Sequence, residues 1–323
     1  MLLEREIGSV GGLGVKSAAV RPSSRSARKE ITSFMAGFSL ETTPNSAAKV
    51  RDFREHVRAG TDVYITFLPG AEFADTVAVA RRLHDEGFNA VPHIAVRSLR
   101  GRASFESHLR ALVEEAGVRQ VLLIGGAVSQ PLGEFSDTMQ VLETGLLDKY
   151  RIGRIGLAGH PEGCPDIPDE AIAHALKWKN DLAARTDARM YLVTQFCFEA
   201  EPIIAWDRRI QAEGNRLPIH VGIPGLATVK TLLGHAKACG IGPSMRFLSK
   251  QALDVARLLT VSAPDKLVAD LAAYRASDPR CGIAGAHMYP LGGLKKSADW
   301  AYAVADGRFE FNPNGQGFHV DFA

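Results

Sequence analysis

Eight short apolar runs, each followed by a stretch of helical periodicity, predict an α/β chain that closes into a (β/α)8 TIM barrel. Three observations carry this expectation. Gly, Pro or Asn punctuates the joins between the runs. The clearest runs, 121–124 and 191–198, are continuously apolar rather than alternating, as in parallel strands covered on both faces. The first turn, Glu41-Thr42-Thr43-Pro44-Asn45, has no glycine-rich dinucleotide fingerprint, which disfavours the rival doubly wound sheet.

Taken in order, the first unit is a strand over 34–43 and a helix over 46–59, where Val50, Phe53 and Val57 recur at helical spacing. Strand two covers 63–68 and is closed by Pro69 and Gly70, with its helix over 73–86. Strand three covers 90–96. Strand four, 121–124, breaks into Gly125-Gly126, where backbone can approach a ligand or make a tight turn. A helix over 135–149 follows, then strand five at 155–158, Gly159-His160-Pro161-Glu162 and a helix over 169–184. Strand six, 191–198, places Gln195 near its carboxyl end. Strand seven, 219–223, ends in Pro224-Gly225 and leads to a helix over 228–239. Two consecutive helices, 246–259 and 264–275, form an extra helical pair between strands seven and eight. Strand eight covers 285–289, and a helix over 294–305 closes the barrel. The expected division is a flexible N-terminal extension over 1–30, the barrel over 31–307 and an aromatic C-terminal tail over 308–323.

Composition narrows the function classes. With 38 Lys plus Arg against 36 Asp plus Glu, the net charge of +2 gives no electrostatic case for nucleic acid or an anionic membrane. Small-molecule partners are expected, and the aromatic tail leaves room for a homo-oligomer. Cys164, Cys197, Cys239 and Cys281 form no CxxC pair, against a disulfide framework or structural zinc and in keeping with a reducing cytoplasm. No window has the roughly 18 apolar residues of a membrane helix.

In such a barrel, polar residues at the carboxyl ends of strands are the candidates for chemistry. These are Glu41, His93, Gly125 with Gly126, His160 with Glu162, Gln195, Pro224 with Gly225, and His287 with Tyr289. Glu41 is the best acid or base, because desolvation beside Leu40 and Thr42 would raise its pKa. A salt bridge at the barrel mouth is the equal alternative. No HxxxH or HxH pair exists, so no metal is expected. Lys177 and Lys179 sit two apart on a helix, so at most one faces a ligand. Cys197, between two Phe, reads as core.

Several segments together resemble the methylenetetrahydrofolate reductase family. They are Ser39-Leu40-Glu41-Thr42-Thr43-Pro44, Pro92-His93, His160-Pro161-Glu162, Leu176-Lys177-Trp178-Lys179, Thr194-Gln195-Phe196-Cys197-Phe198 and Ile223-Pro224-Gly225, in that order along the chain. The resemblance implies a barrel interconverting 5,10-methylenetetrahydrofolate and 5-methyltetrahydrofolate, with NADH or NADPH as hydride donor and FAD as carrier. Glu41 would be the general acid that opens the methylene bridge, and Gln195 and Tyr289 would contact the folate. His93, Gly125, Gly126, His160 and Lys179 would surround the cofactor. Departures are also visible. The family's Arg-Gly-Asp after strand four is Ile124-Gly125-Gly126 here, Trp178 stands where Arg is common, and Gly293 replaces an Arg. FAD held differently, direct hydride transfer without flavin, and altered activity all remain open. The alternative is a non-redox folate-binding barrel serving as carrier or partner in methyl transfer.

Overall fold

A computed structural model describes residues 24–68, 70–238 and 261–321. Eight parallel strands form a closed barrel: β1 (Ser39–Thr42), β2 (Asp62–Ile65), β3 (Asn89–Ala95), β4 (Gln120–Ile124), β5 (Arg154–Gly159), β6 (Arg189–Phe196), β7 (Ile219–Pro224) and β8 (Ile283–Tyr289). Each pairs with its neighbour in sequence. β8 returns to β1 with Ser39 opposite His287 and Leu40 opposite Met288. The expected (β/α)8 barrel is the fold of this chain.

Strand side chains alternate between the two faces of the sheet, which sorts the residues into two cores. Leu40, Val63, Ile65, Val121, Leu123, Leu157, Leu192, Val221, Ile223 and Met288 face the surrounding helices and join one large apolar cluster. Tyr64, Val91, Leu122, Tyr191 and Val193 form a separate cluster inside the barrel. At the amino ends of the strands the interior is polar: Arg154 pairs with Asp62 at 3.0 Å, and Gln120 donates to the Tyr191 hydroxyl at 2.7 Å. The chemistry-bearing residues sit at the opposite, carboxyl end.

The amino-terminal part of the barrel departs from expectation. Residues 34 and 35 belong to a helix, Ser24–Met35, whose Ile31, Phe34 and Met35 are buried. Their spacing is that of one helical face, and the helix packs on helices Asp265–Ser277 and Leu294–Ala305. Residues 24–30 are therefore the start of this helix rather than part of an extension, and residues 1–23 lie outside the described residues. The helix expected over 46–59 is reduced to Pro44–Ala47 and a 3-10 turn, Phe53–Glu55. Tertiary hydrogen bonds replace helical ones here: Arg82 donates to the carbonyls of Ala47, Val50 and Arg51, and the Phe53 N–H donates to Glu86 at 2.8 Å. The expected helix over 135–149 is split into Thr138–Glu143 and Leu146–Lys149 by Gly145, whose φ is +68°.

Of the extra helical pair, the second member is Asp265–Ser277, while the one expected over 246–259 lies outside the described residues. The tail folds back as a hairpin pairing Glu310–Phe311 with Phe318–His319. Phe309 and Phe318 are buried in the main core, and Arg28 lies over the Phe309 ring at 4.5 Å. Among the described residues, no helix is long and apolar enough to cross a membrane.

Candidate active site at the barrel mouth

β1 contributes Ser39 and Glu41 to the interior, on the opposite parity to outward Leu40. The register sets Glu41 beside Tyr64 and Ser39 beside His287. The Glu41 side chain is only 10% exposed. It accepts hydrogen bonds from the Thr66 hydroxyl and, at 3.1 Å, from His287 Nε2. A carboxylate can only accept, so His287 Nε2 donates to it, and the ring's Nδ1 shares a 2.8 Å hydrogen bond with the Ser39 hydroxyl. His93 Nε2 lies 3.9 Å from the same Glu41 oxygen, and neither of its buried ring nitrogens has a hydrogen-bond partner.

This environment reverses one expectation. Burial by itself pushes the Glu41 pKa up, but adjacent His93 and the hydrogen bonds from His287 and Thr66 outweigh it and bring it below the ordinary value. Burial also holds His93 below the ordinary histidine value, against the opposing pull of the Glu41 charge. The two hydrogen-bond donors therefore keep Glu41 a carboxylate.

On the far side of β8, the β6 ladder is interrupted between Val193 and Phe196. The Thr194 hydroxyl accepts the Gly222 N–H at 2.9 Å and donates to the Gln195 carbonyl at 2.7 Å, bridging the bulge. Gly222 is required here, since a Cβ would lie 2.6 Å from the Gln195 carbonyl oxygen. The Tyr289 hydroxyl donates to the Thr194 carbonyl at 2.9 Å, and its ring meets those of His287 and Phe196 edge-on. Tyr289 thus braces the bulge that carries half-buried Gln195.

A cavity of about 760 Å³ opens beside the carboxyl ends of β4 to β6 and is lined by Arg97, Gly125, Asp137, His160, Lys179 and Trp206, among others. It brings together three of the expected cofactor contacts, Gly125, His160 and Lys179. His93 lies instead with Glu41, and the Gly126 carbonyl accepts from Arg97 at 2.5 Å. Lys177 points outward to Asp181 at 3.0 Å, whereas Lys179 is buried. Burial lowers the Lys179 pKa to about 8, with Asp137 opposing. Burial, with help from the Lys179 charge, lowers that of His160 to about 4, and its buried Nδ1 has no partner. Cys197 is wholly buried and its thiol pKa is pushed up, as befits core.

Sequence reasoning missed Arg97 and did not join His287 to Glu41. Arg97 sits in the 3-10 turn Val96–Ser98 just after β3, with no motif around it. The seam between the last and first strands is invisible to local pattern.

No protein-family model matches the chain. Among curated proteins it is similar to methylenetetrahydrofolate reductase 1 of Schizosaccharomyces pombe, 33% identical over 115 residues, which is 35% of this chain and 18% of that protein. It is also similar to methylenetetrahydrofolate reductase 2 of Saccharomyces cerevisiae, 29% identical over 118 residues, 36% of this chain and again 18% of that protein. The matches thus span less than a fifth of those relatives. Among solved structures, its fold is similar to that of an uncharacterized protein from Clostridium thermocellum that binds two copies of 5-methyl-5,6,7,8-tetrahydrofolic acid. The TM-score is 0.50 at 13% identity, covering 86% of this chain and 97% of that one. At such identity the likeness speaks for the fold alone, and over about a third of its length the chain is similar to methylenetetrahydrofolate reductases.

Proposed function

We propose that this chain binds a reduced folate at the barrel mouth and interconverts 5,10-methylenetetrahydrofolate and 5-methyltetrahydrofolate, with NADH or NADPH as the ultimate hydride donor. The observation that carries the reading is Glu41, a buried carboxylate held by His287 and Thr66 at the carboxyl end of β1. Across the mouth stands Gln195, whose amide is free of protein hydrogen bonds among the described residues. An amide offers both a donor and an acceptor, which suits the alternating edge of a pterin.

In the reductive direction a proton goes to the bridging nitrogen of the methylene group, the carbon–nitrogen bond breaks to leave an iminium, and hydride adds to its carbon to give the methyl. Glu41 is placed to manage that proton. Because it rests as a carboxylate, it must gain a proton as substrate enters and excludes water, or act as base in the reverse direction. His287 stays on Ser39 and orients the carboxyl group. The Phe196, Tyr289 and His287 rings wall the site.

The cavity beside β4 to β6 fits a flavin dinucleotide in its donor set: a buried ammonium without a bonded carboxylate, a partnerless His160 Nδ1 and the Arg97 guanidinium. There Lys179, His160 and Arg97 would hold the phosphates, and bound FAD would supply the hydride. The test is nicotinamide-dependent turnover of 5,10-methylenetetrahydrofolate by the purified protein, with its visible spectrum recorded. Glu41→Gln should lower turnover by about 10²- to 10⁴-fold while folate still binds. Folate binding with no turnover under any nicotinamide would favour the carrier role instead.

A further inference from the structure

We propose that Tyr64 is a positioning residue for Glu41: its phenol ring, tethered from below, supports both imidazoles that face the carboxylate. The proposal rests on the reading of Glu41 as the group that handles the proton, and it names a residue outside the segments that resemble the family.

The register sets Tyr64 on β2 opposite Glu41 on β1, with its side chain inside the barrel and 1% exposed. Its ring centroid lies 4.4 Å from that of His287, tilted by 60°, and 6.1 Å from that of His93, edge-on at 81°. One ring thus packs against a histidine from β8 and a histidine from β3. His287 is also held by Ser39 and Glu41, but neither ring nitrogen of His93 has a hydrogen-bond partner among the described residues. The terminal torsion of a histidine has a broad minimum, so packing has to set the direction in which the His93 ring faces. Tyr64 supplies that packing.

The phenol ring is itself fixed at its far end. Its hydroxyl shares a 2.7 Å hydrogen bond with that of Tyr191 on β6, which also accepts from Gln120 Nε2 on β4 at 2.7 Å. Val91, Leu122 and Val193 pack with the two tyrosines in the inner cluster. Burial pushes both phenols above their ordinary pKa, so the pair stays uncharged. Arg154, paired with Asp62, lies over the Tyr191 ring, and His220, which burial lowers to about 4, meets that ring edge-on. Burial raises the Glu41 pKa, and His93 opposes it most strongly, ahead of His287 and Thr66. Two of these three opposing groups rest on Tyr64, so the ring governs how close they stand to the carboxylate.

Isotopic carbon labelling of glutamate carboxyl groups in the full chain, read by NMR and assigned with Glu41→Gln, follows the Glu41 titration without any turnover. Tyr64→Leu should move that titration to higher pH, because both imidazoles lose their support. Tyr64→Phe keeps the ring and should recover most of the shift. Tyr191→Phe breaks the same hydroxyl bond and should match it, and the double variant should shift no further than either single one. Val91→Ala loosens the same cluster with the phenol ring in place; it should lower the melting temperature and leave the titration as in the parent. In turnover of 5,10-methylenetetrahydrofolate, Tyr64→Leu should lower kcat by about tenfold with KM within about threefold. The proposal is overturned if Glu41 titrates in Tyr64→Leu as in the parent, or if Val91→Ala reproduces the shift. If Tyr64→Leu does not fold, Tyr64→Phe and Tyr191→Phe decide: a common shift upholds the proposal, and an unchanged titration in both overturns it. A shifted titration in a protein whose parent turns over no folate would remove the folate reading and leave this one standing.

Discussion

His287 Nε2 lies 3.1 Å from Glu41 Oε2 across the seam where β8 closes onto β1, 246 residues apart in sequence. The contact exists only because the barrel closes with Ser39 opposite His287. It makes a relay of three side chains in which Ser39 orients the imidazole and the imidazole holds the carboxylate. The resting state of the proposed acid is thereby set by its neighbours rather than by burial alone.

Removing either donor should raise the pKa of Glu41. His287→Leu and Thr66→Val are each expected to move the pH–rate limb that reports Glu41 ionisation to higher pH. Stability carries the same sign. A carboxylate whose folded pKa is depressed stabilises the fold above its unfolded pKa, and that contribution is lost as pH falls through the folded value. Thr66→Val should therefore acid-unfold at a higher pH than the parent; profiles unchanged in both variants would contradict the assignment.

The strand-six bulge should be intolerant of small changes. Gly222→Ala drives a Cβ to within 2.6 Å and 2.7 Å of the carbonyl oxygens of Gln195 and Thr194. A cost of about 1–3 kcal/mol is expected in urea unfolding, with weakened folate binding. Thr194→Val leaves the buried Gly222 N–H unpaired and should cost about 1–3 kcal/mol. Gln195→Ala, by contrast, should leave stability unchanged and weaken folate by about threefold to tenfold.

Lys179 offers a thermodynamic signature of the proposed phosphate site beside β4 to β6. Its folded pKa of about 8 lies below the ordinary 10.5, so the empty protein gains stability as pH rises through that window. An anion should draw the pKa back up. ADP binding at about pH 8.5 should take up protons, seen as a dependence of calorimetric heat on buffer ionisation enthalpy, and Lys179→Met should abolish the uptake. The same substitution should stabilise the empty protein by on the order of 3 kcal/mol at neutral pH, because a desolvated charge is removed.

The aromatic tail should behave as core. Phe318 is 1% exposed and stacks near Trp300 at 6.2 Å. Phe318→Ala is expected to cost about 3–5 kcal/mol in chemical unfolding. A change near zero would mean that the tail is an appendage.

Eight apolar runs with helical stretches between them were enough to announce the barrel, because strands buried on both faces and helices buried on one leave different periodicities in the chain. The same patterns placed Glu41, Gln195 and Lys179 near strand ends or on a helix, and their order along the sequence pointed to the family. What the sequence could not supply was convergence. Residues 34 and 35, expected at the start of the first strand, are helical because Ile31, Phe34 and Met35 find two other helices to cover them. The loop before β2 lost its expected helix to hydrogen bonds from Arg82, 31 to 35 residues away. His287 meets Glu41 only through closure, and Arg97 and Lys179 line one cavity only because β3, β4 and the helix after β5 enclose it. Sequence determined which residues are able to ionise or donate, a local property of side chains. Tertiary structure decided which of them face one another, and hence the sign of the Glu41 shift, since a buried carboxylate rises or falls in pKa according to the donors that folding places around it.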